Sequence, residues 1–376
     1  MGGIYIHVPF CKQQCHYCDF HFSTSLKNKN ALIVALVSEI RLRKSFFDKT
    51  KIRTIYLGGG TPSLLSADEI NKLYYHLNAN FDLSEVVEMT IEANPDDLTE
   101  KKIKSYKNTP INRFSIGVQS FHNKDLSYMN RAHDASQAES CIKAVQNAGW
   151  DNISIDLIYG LPTLPNEKWL ENLVQVVELD IPHLSAYALT VEDKTPLHYA
   201  IKTGQQAPLD EKRCSQQFQT LMNFLPYRGW KQYELSNFSK PRFESKHNSS
   251  YWQQKKYLGL GPSAHSFDGK SRMWNIANNV KYIQSINKDQ LNFKQEYLSE
   301  TDHYNEYVLT SLRTHGGADF NYLKTHFSSF FCDLFQKNIE KWIKNNKIEQ
   351  KNNYFILTEE GKLLADLITS DVFFVS

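Results

Sequence analysis

The chain has 376 residues, of which 43 are Lys or Arg and 41 are Asp or Glu, so its formal net charge at pH 7 is +2. This balance gives no globally basic surface, and a nucleic-acid partner is therefore not expected. Hydrophobic residues make up 41% and charged residues 22% of the chain, which is typical of a globular protein and excludes a disordered one.

The compartment is indicated by what the N-terminus lacks and by where the cysteines lie. No apolar run reaches the roughly 18 residues that a membrane-spanning helix needs, and MGGIYIHVPF lacks the regions of a secretory signal peptide. Three of the 6 cysteines fall within residues 11–18, whereas the others are scattered. A disulfide framework would spread them, so we expect a metal site in a reducing compartment and hence a cytoplasmic protein.

The first 190 residues alternate between strand and helix patterns. The predicted strands are 4–8, 53–57, 86–92, 113–117, 153–158 and 184–189. The predicted helices are 30–47, 67–77, 99–106, 135–148 and 167–179, and Asp134 with Gln137 predicts a capped start for the fourth. This alternation predicts parallel β/α units with right-handed crossovers. Because the units are too few for a closed (β/α)8 barrel, we expect an α/β fold with a partial (β/α)6 barrel.

The alternation weakens after residue 190, which suggests the domains 1–190, 191–300 and 301–376. The middle region is mixed α+β, with predicted helices at 210–225 and 276–286 around an aromatic, polar stretch at 233–261. The tail has two helical patterns, then a hairpin at 347–357 that turns at Asn352 and Asn353, and a closing helix at 358–368 that begins at Thr358. Helices with a small β-ribbon predict a winged-helix-like module.

A C-x3-C-x2-C motif, formed by Cys11, Cys15 and Cys18, directly follows the first predicted strand. Three thiolates this close share a metal or cluster, or they repel one another and have raised pKa values. A [4Fe–4S] cluster usually takes four thiolates, so three leave one iron open to a small molecule. The alternative is a zinc site completed by His16 or His21, but the position and spacing favour the cluster.

Glycines and polar side chains mark the ends of later strands, where active sites of β/α barrels lie. A glycine-rich stretch follows the second strand and permits close approach to a ligand, although a tight turn is the alternative. Polar residues in or after the third, fourth and fifth strands would need partners inside a barrel, either a ligand or structural salt bridges. The residues concerned are Gly58, Gly59, Gly60, Thr61, Glu92, Gln119 and Asp156.

The cysteine motif resembles that of the radical S-adenosylmethionine (radical SAM) superfamily. This resemblance implies that Cys11, Cys15 and Cys18 hold a [4Fe–4S] cluster whose open iron binds SAM, which the reduced cluster cleaves to a 5′-deoxyadenosyl radical. The glycine-rich element of the family, which holds the SAM amino group, matches this chain at Gly59, Gly60 and Thr61.

Three further phrases, GVQSF, NRAH and DLIYGLP, are similar to those of the oxygen-independent coproporphyrinogen III dehydrogenase group. That similarity implies a SAM site lined by Tyr5, Glu92, Gln119, Arg131 and Asp156. Two departures separate the chain from the dehydrogenase itself. Phe20 stands where a fourth cysteine is expected, and the N-terminal arm of the dehydrogenase has no counterpart.

Both departures, together with an H-N-x-x-Y-W motif at residues 247–252, resemble the heme chaperone HemW subfamily. This resemblance implies that heme binds at His247, the one residue of the motif that can offer a nitrogen to iron. His265 is a second candidate, and docking between domains is the alternative role of the motif. Cys141, Cys214 and Cys332 are interpreted as ordinary thiols.

The resemblance implies delivery of heme to heme-dependent respiratory enzymes, with any membrane association peripheral and mediated by partners. Coproporphyrinogen dehydrogenase activity is not expected. The alternative function is nevertheless that enzyme, which converts coproporphyrinogen III to protoporphyrinogen IX by radical oxidative decarboxylation. A zinc-stabilised binding module is a third interpretation, which leaves the glycine turn and the strand-end polar residues unexplained.

Overall fold

The computed structural model describes residues 1–375. The chain divides into two compact units: the first comprises Met1–Gln217 and Lys255–Glu296, and the second comprises Phe218–Gln254 and the chain from Tyr297 onward. These units cut across the boundaries at 190 and 300 suggested by the sequence, and the three-domain division stays a prediction. Among the helices of residues 1–375, none is both long and apolar enough to cross a membrane.

The first unit opens with alternating strands and helices. The strands are β1 Gly2–Val8, β2 Ile52–Gly59, β3 Glu88–Ala93, β4 Arg113–Gln119, β5 Ile153–Tyr159 and β6 His183–Ala188. The helices are α1 Lys29–Leu42, α2 Ala67–Asn80, α3 Glu100–Tyr106, α4 Asn123–Tyr128, α5 Ala135–Asn147 and α6 Asn166–Glu178. Each strand pairs in parallel with the next. This confirms the predicted fold class, an α/β partial barrel.

Two helices differ from the prediction. Helix α1 ends at Leu42 rather than at residue 47, because Phe47 turns inward and is buried against Phe81 and the backbone of Gly2. Helix α4 was missed, since its six residues are too few to show a periodic pattern. The capping box of Asp134 and Gln137 at the start of α5 is confirmed.

The two faces of this sheet differ in chemistry. Because side chains alternate along a strand, residues paired between parallel strands share a face. Tyr5 pairs with Tyr56, and Glu92 pairs with Ser115. The opposite face carries fully buried aliphatic side chains, namely Ile4, Ile6, Ile55, Leu57, Ile91, Ile155 and Leu157. The apolar face forms the core with the helices, and the polar face is left for a site.

Four of the later strands extend the same sheet on the side of β1. After β6 come α7 Pro196–Lys202, α8 Glu211–Phe224, β7 Lys231–Glu234, β8 Asn237–Ser239 and α9 Lys246–Trp252. The chain then forms β9 Tyr257–Leu260, β10 His265–Phe267, β11 Ser271–Asn275, α10 Asn279–Ile286 and β12 Phe293–Tyr297. Strand β9 pairs in parallel with β1, and β10, β11 and β12 follow in order.

The second unit contains the β7–β8 hairpin, α9 and the C-terminal module. The module comprises α11 Glu300–Leu312, β13 Ala318–Asp319, α12 Phe320–His326, α13 Ser329–Lys344, β14 Ile348–Lys351, β15 Tyr354–Leu357, α14 Glu359–Lys362 and α15 Ala365–Val372. Its antiparallel sheet has the order β13-β15-β14, and the predicted hairpin turns at Asn352, which has a positive φ of 55°. Small sheet and helices together match the predicted winged-helix-like module.

The closing helix was predicted as one element but is two. Thr358 caps α14 as expected, and its side chain accepts from the Gly361 N–H. The chain then leaves helical geometry at Leu364, and α15 buries Ala365 and Ile368 in the module core.

Candidate cofactor site at the strand ends

The cysteine loop, residues 11–18, follows β1 and is held by the segment after α4. The Nδ1 atom of His16 lies 2.9 Å from the Tyr128 carbonyl oxygen. The Asn130 side chain donates from Nδ2 to the Gln14 carbonyl at 2.7 Å. These contacts fix the loop above the carboxyl ends of the strands, the expected location for chemistry in this fold.

The thiols of the loop are half-buried and influence one another. Burial, together with the neighbouring charges of Cys15 and Cys11, raises the pKa of the Cys18 thiol to about 11. Burial also raises the pKa of Cys11, with Cys15 adding to the effect. Bound iron would relieve this cost, because a metal stabilises the thiolate form. The chemistry of the donor set, three thiols whose thiolate forms a metal would stabilise, therefore suits a cluster, although their present spacing does not yet form a metal site.

The histidines proposed for a zinc site have other partners. His16 contacts the Tyr128 carbonyl, and the Nε2 atom of His21 lies 2.8 Å from Oδ1 of Asn279. Within residues 1–375, no group of three or more His, Cys, Asp or Glu side chains is arranged so that it could hold a metal ion. Ligation of the cluster by the loop cysteines thus stays a prediction.

The glycine-rich stretch brings the end of β2 against β1. Gly59 has a φ of +107°, and a Cβ there would lie 2.4 Å from the His7 ring. A Cβ on Gly60 would lie 2.6 Å from the Phe10 carbonyl oxygen. Thr61 is buried, and its hydroxyl bonds to the Cys11 thiol, which lowers the pKa of that thiol. Gly59 and Gly60 cannot be replaced by a residue with a side chain without a clash. The contacts of Gly60 and Thr61 place the turn beside the cysteine loop.

Glu92 lies at the end of β3 and is bound by two donors. The Tyr56 hydroxyl donates to Oε1 at 2.8 Å, and the Gly59 N–H donates to Oε2 at 3.0 Å. Burial raises the pKa of Glu92 to about 7, and the neighbouring charge of Asp156 acts in the same direction. Neither hydrogen-bonding partner is a cation, so a positively charged ligand would favour the ionised carboxylate.

Asp156 on β5 and Gln119 at the end of β4 share this region. Burial raises the pKa of Asp156 to about 6, although a hydrogen bond from Ser185 and the positive charges of Arg113 and Arg131 oppose the rise. Gln119 is buried with a positive φ of 67°. A non-glycine residue in this conformation is strained, and such strain is concentrated at functional sites.

Arg131 connects the cysteine loop to the strand ends. Its Nη1 atom donates to Cys15 Sγ at 3.2 Å, and Nη2 donates to Asn94 Oδ1 at 2.7 Å and to the Gly117 carbonyl at 2.9 Å. Its Nε atom is buried and has no hydrogen-bond partner among the described residues. A buried donor without a partner, close to a thiol and to two carboxyl groups with raised pKa values, suits a ligand that carries its own carboxylate.

His247 lies in the second unit, on α9. Its side chain is only 1% exposed, and its Nε2 atom lies 2.8 Å from the Tyr251 hydroxyl. The two rings meet edge to face, with centroids 5.0 Å apart. Iron ligation through Nε2 would require His247 to give up this hydrogen bond, so its role in heme binding stays a prediction.

Two family models match the chain. The radical SAM superfamily model matches residues 5–175, and the HemN C-terminal domain model matches residues 298–364. Proteins named heme chaperone HemW are similar over the full length. The relative from Lactococcus lactis is 32% identical, with 96% of this chain and 94% of the relative covered. Those from Bacillus subtilis and Escherichia coli are each 30% identical over 97% of this chain, covering 97% and 96% of the relatives.

The chain belongs to the HemW family. Its radical SAM domain implies a [4Fe–4S] cluster and SAM as cofactors. The fold is also that of coproporphyrinogen III oxidase (HemN) from Escherichia coli, described as a radical SAM enzyme. That structure matches with a TM-score of 0.85 and 23% identity, and it covers 99% of this chain and 90% of its own.

Some residues of this HemW-family site were missed by the sequence reasoning. His7 is buried, and its ring nitrogens lie 3.0 Å from the Tyr5 hydroxyl and 2.9 Å from the His21 carbonyl oxygen. Asn94 bonds to both Thr61 and Arg131. The available signal was the two-residue spacing of Tyr5 and His7 in an otherwise apolar strand, which puts both side chains on the face of the site.

Proposed function

We propose that this protein is a radical-SAM-type heme chaperone that binds a [4Fe–4S] cluster, SAM and heme. It delivers heme to heme-dependent respiratory enzymes from the cytoplasm, and any membrane association arises through those partners. The observation that carries this proposal is the full-length similarity to proteins named heme chaperone HemW. Phe20, which is 65% exposed at the position expected for a fourth cysteine of the dehydrogenase, supports the same assignment.

When bound, the cluster and SAM supply one-electron chemistry at a sulfonium, and the chain binds and orients these groups. Cys11, Cys15 and Cys18 would hold the cluster. Burial keeps the pKa of Glu92 near 7, so a cationic amino group brought beside this carboxylate favours its ionised form. The orphaned Nε of Arg131 offers a donor to a carboxylate.

The test of the proposed function uses the full chain, purified anaerobically with its cluster. We expect the protein to bind heme and to restore heme to a respiratory enzyme prepared without it, as measured by the absorption spectrum of the acceptor. Failure to bind or transfer heme would contradict the proposal.

A parallel incubation with coproporphyrinogen III, SAM and a reductant tests the alternative function, and we expect no protoporphyrinogen. Formation of that product at many turnovers per chain would instead establish the dehydrogenase. The common fold makes this assay necessary, since fold does not determine function.

A further inference from the structure

An imidazole and an indole lie side by side on the β10–β11 hairpin of the first unit. His265 pairs with Trp274 across the two strands, and their ring centroids are 6.1 Å apart with planes inclined by 22°. His265 is exposed and Trp274 is half-buried. The hairpin thus presents a nitrogen donor next to an apolar aromatic surface.

A cation lies on the same face of this hairpin. Arg272 pairs with Phe267, and its guanidinium lies 5.0 Å from the centre of the Phe267 ring. Its Nη1 atom donates to the Tyr257 hydroxyl at 2.9 Å. Residues two apart on one strand share a face, so Arg272 and Trp274 point to the same side. A half-buried guanidinium suits a carboxylate of a ligand.

This face is also the face of the cofactor site. Tyr257 pairs with Gly3 on β1 and with Phe267 on β10, so Phe267 and His265 project to the same side as Tyr5, two residues beyond Gly3. The charge of His265 is near enough to lower the pKa of His7. His265 therefore belongs to the edge of the polar side of the sheet.

Strand β9 holds the hairpin in place by close contacts with β10. The Gly259 N–H donates to Ser266 Oγ at 2.9 Å, and a Cβ on Gly259 would lie 2.1 Å from the His265 carbonyl oxygen. Such close approach of two backbones fixes the position of His265 along β10. A metal-ligating side chain benefits from a platform of this kind, because it loses little freedom on binding.

A buried carboxylate anchors both ends of the hairpin to α1. Glu39 is fully buried and accepts hydrogen bonds from the Gly261 N–H at 2.8 Å, from Asn275 Nδ2 at 2.7 Å and from the Tyr282 hydroxyl at 2.6 Å. Gly261 precedes β10, and Asn275 ends β11. Glu39 is thus a positioning residue for the strands that carry His265.

We propose that His265 is the axial ligand to heme iron, with Trp274 against the porphyrin and Arg272 at a propionate. The inference rests on the proposed heme binding and assigns its site to the first unit. Histidine is a common axial ligand of heme iron. His265 offers an exposed ring, whereas His247 is buried and hydrogen-bonded to Tyr251.

The test is a titration of the full-length, cluster-loaded protein with ferric heme, followed by absorption and electron paramagnetic resonance spectroscopy. We expect His265→Ala and His265→Gln each to lose the imidazole-ligand signature and to bind heme more weakly by about tenfold or more. Added imidazole should restore the signature in His265→Gly. His76→Ala, a change on α2 outside this cluster, should behave as the wild type.

Two further variants separate loss of the iron ligand from loss of folding, and a failure of this assignment from a failure of the proposed function. Arg272→Gln should weaken the binding of heme while keeping the imidazole-ligand signature. Heme whose propionates are esterified should bind to the wild type and to this variant with the same affinity, because it has no carboxylate for Arg272. Loss of the signature in His247→Ala, with His265→Ala unchanged, would overturn the assignment and leave the proposed function intact. A wild-type protein that binds no heme would instead contradict the proposed function.

Discussion

The strand-end site of the first unit and helix α9 of the second carry the two most specific motifs of the chain. The two regions differ in how far their buried polar groups are already satisfied by the protein. At the strand ends, Glu92 and Asp156 have raised pKa values, and the Nε of Arg131 has no hydrogen-bond partner among residues 1–375. On α9, His247 is buried and its Nε2 is already hydrogen-bonded to Tyr251.

This difference shows which motif is prepared for a ligand. Burial disfavours the ionised forms of Glu92 and Asp156 and leaves the Nε of Arg131 without a hydrogen-bond partner within residues 1–375, so binding of a cationic and carboxylate-bearing molecule would stabilise these groups. The His247–Tyr251 pair would not be stabilised in this way, because a ligand that takes the His247 Nε2 would have to replace an existing hydrogen bond. A short motif can therefore encode local structure as readily as ligand binding, and experiments on the two regions should diverge.

The largest expected effect concerns the cluster. Cys15→Ala removes a thiolate that Phe20 cannot replace, so iron and sulfide should fall below about one tenth of the wild-type content. The measurement is iron and sulfide per chain after anaerobic reconstitution, and Cys11→Ala and Cys18→Ala should behave alike. Cys214→Ala, a half-buried thiol outside the loop, is the matched control. Full cluster retention in Cys15→Ala would refute the ligand assignment.

The next effect concerns SAM. Glu92→Gln keeps an oxygen that accepts from the Gly59 N–H but removes the charge, so the dissociation constant of SAM should rise about ten- to a hundredfold. Calorimetric titration measures the affinity, and thermal unfolding without SAM measures stability. The melting temperature should not fall, because burial disfavours the ionised carboxylate. Unchanged affinity with reduced stability would show that Glu92 is structural.

The pH dependence of SAM binding separates charge from shape. A cation must bind the ionised forms of Asp156 and Glu92, whose pKa values are raised to about 6 and about 7. Binding therefore releases protons, and affinity should rise as the pH increases through this range. Without ligand the sign is reversed, so stability should fall as the pH rises from 4.5, the ordinary Glu value, to about 7. Glu92→Gln should flatten both pH dependences. An unaltered pH dependence of SAM affinity in this variant would show that Glu92 does not bind SAM through its charge.

Much of the strand-end site was predictable, because the carboxyl ends of parallel strands meet at one edge and therefore bring Glu92, Gln119 and Asp156 together. The sequence could not place β9 beside β1, since a four-residue strand gives almost no periodic signal. That pairing puts His265 on the side of the site. Nor could it show that His247 is buried, because a single histidine carries no sign of which way its ring points.

The smallest effect tests α9 itself. Ser245 is fully buried and caps α9, and its Oγ accepts from the Asn248 N–H at 3.3 Å. Ser245→Ala should lower the free energy of unfolding by about 1 kcal/mol, measured by denaturant titration. Ser66→Ala, which removes the cap of α2 in the first unit, should cost a similar amount.

Neither cap variant should alter the heme spectrum if α9 supports the second unit and does not touch the ligand. Loss of a cap frays the first turn of a helix, and His247 lies in that turn, two residues after Ser245. Weaker heme binding in Ser245→Ala, with Ser66→Ala unaffected, would therefore give α9 a direct part in the heme site. In that case both motifs would bind ligands, and the structural role assigned to α9 would be wrong.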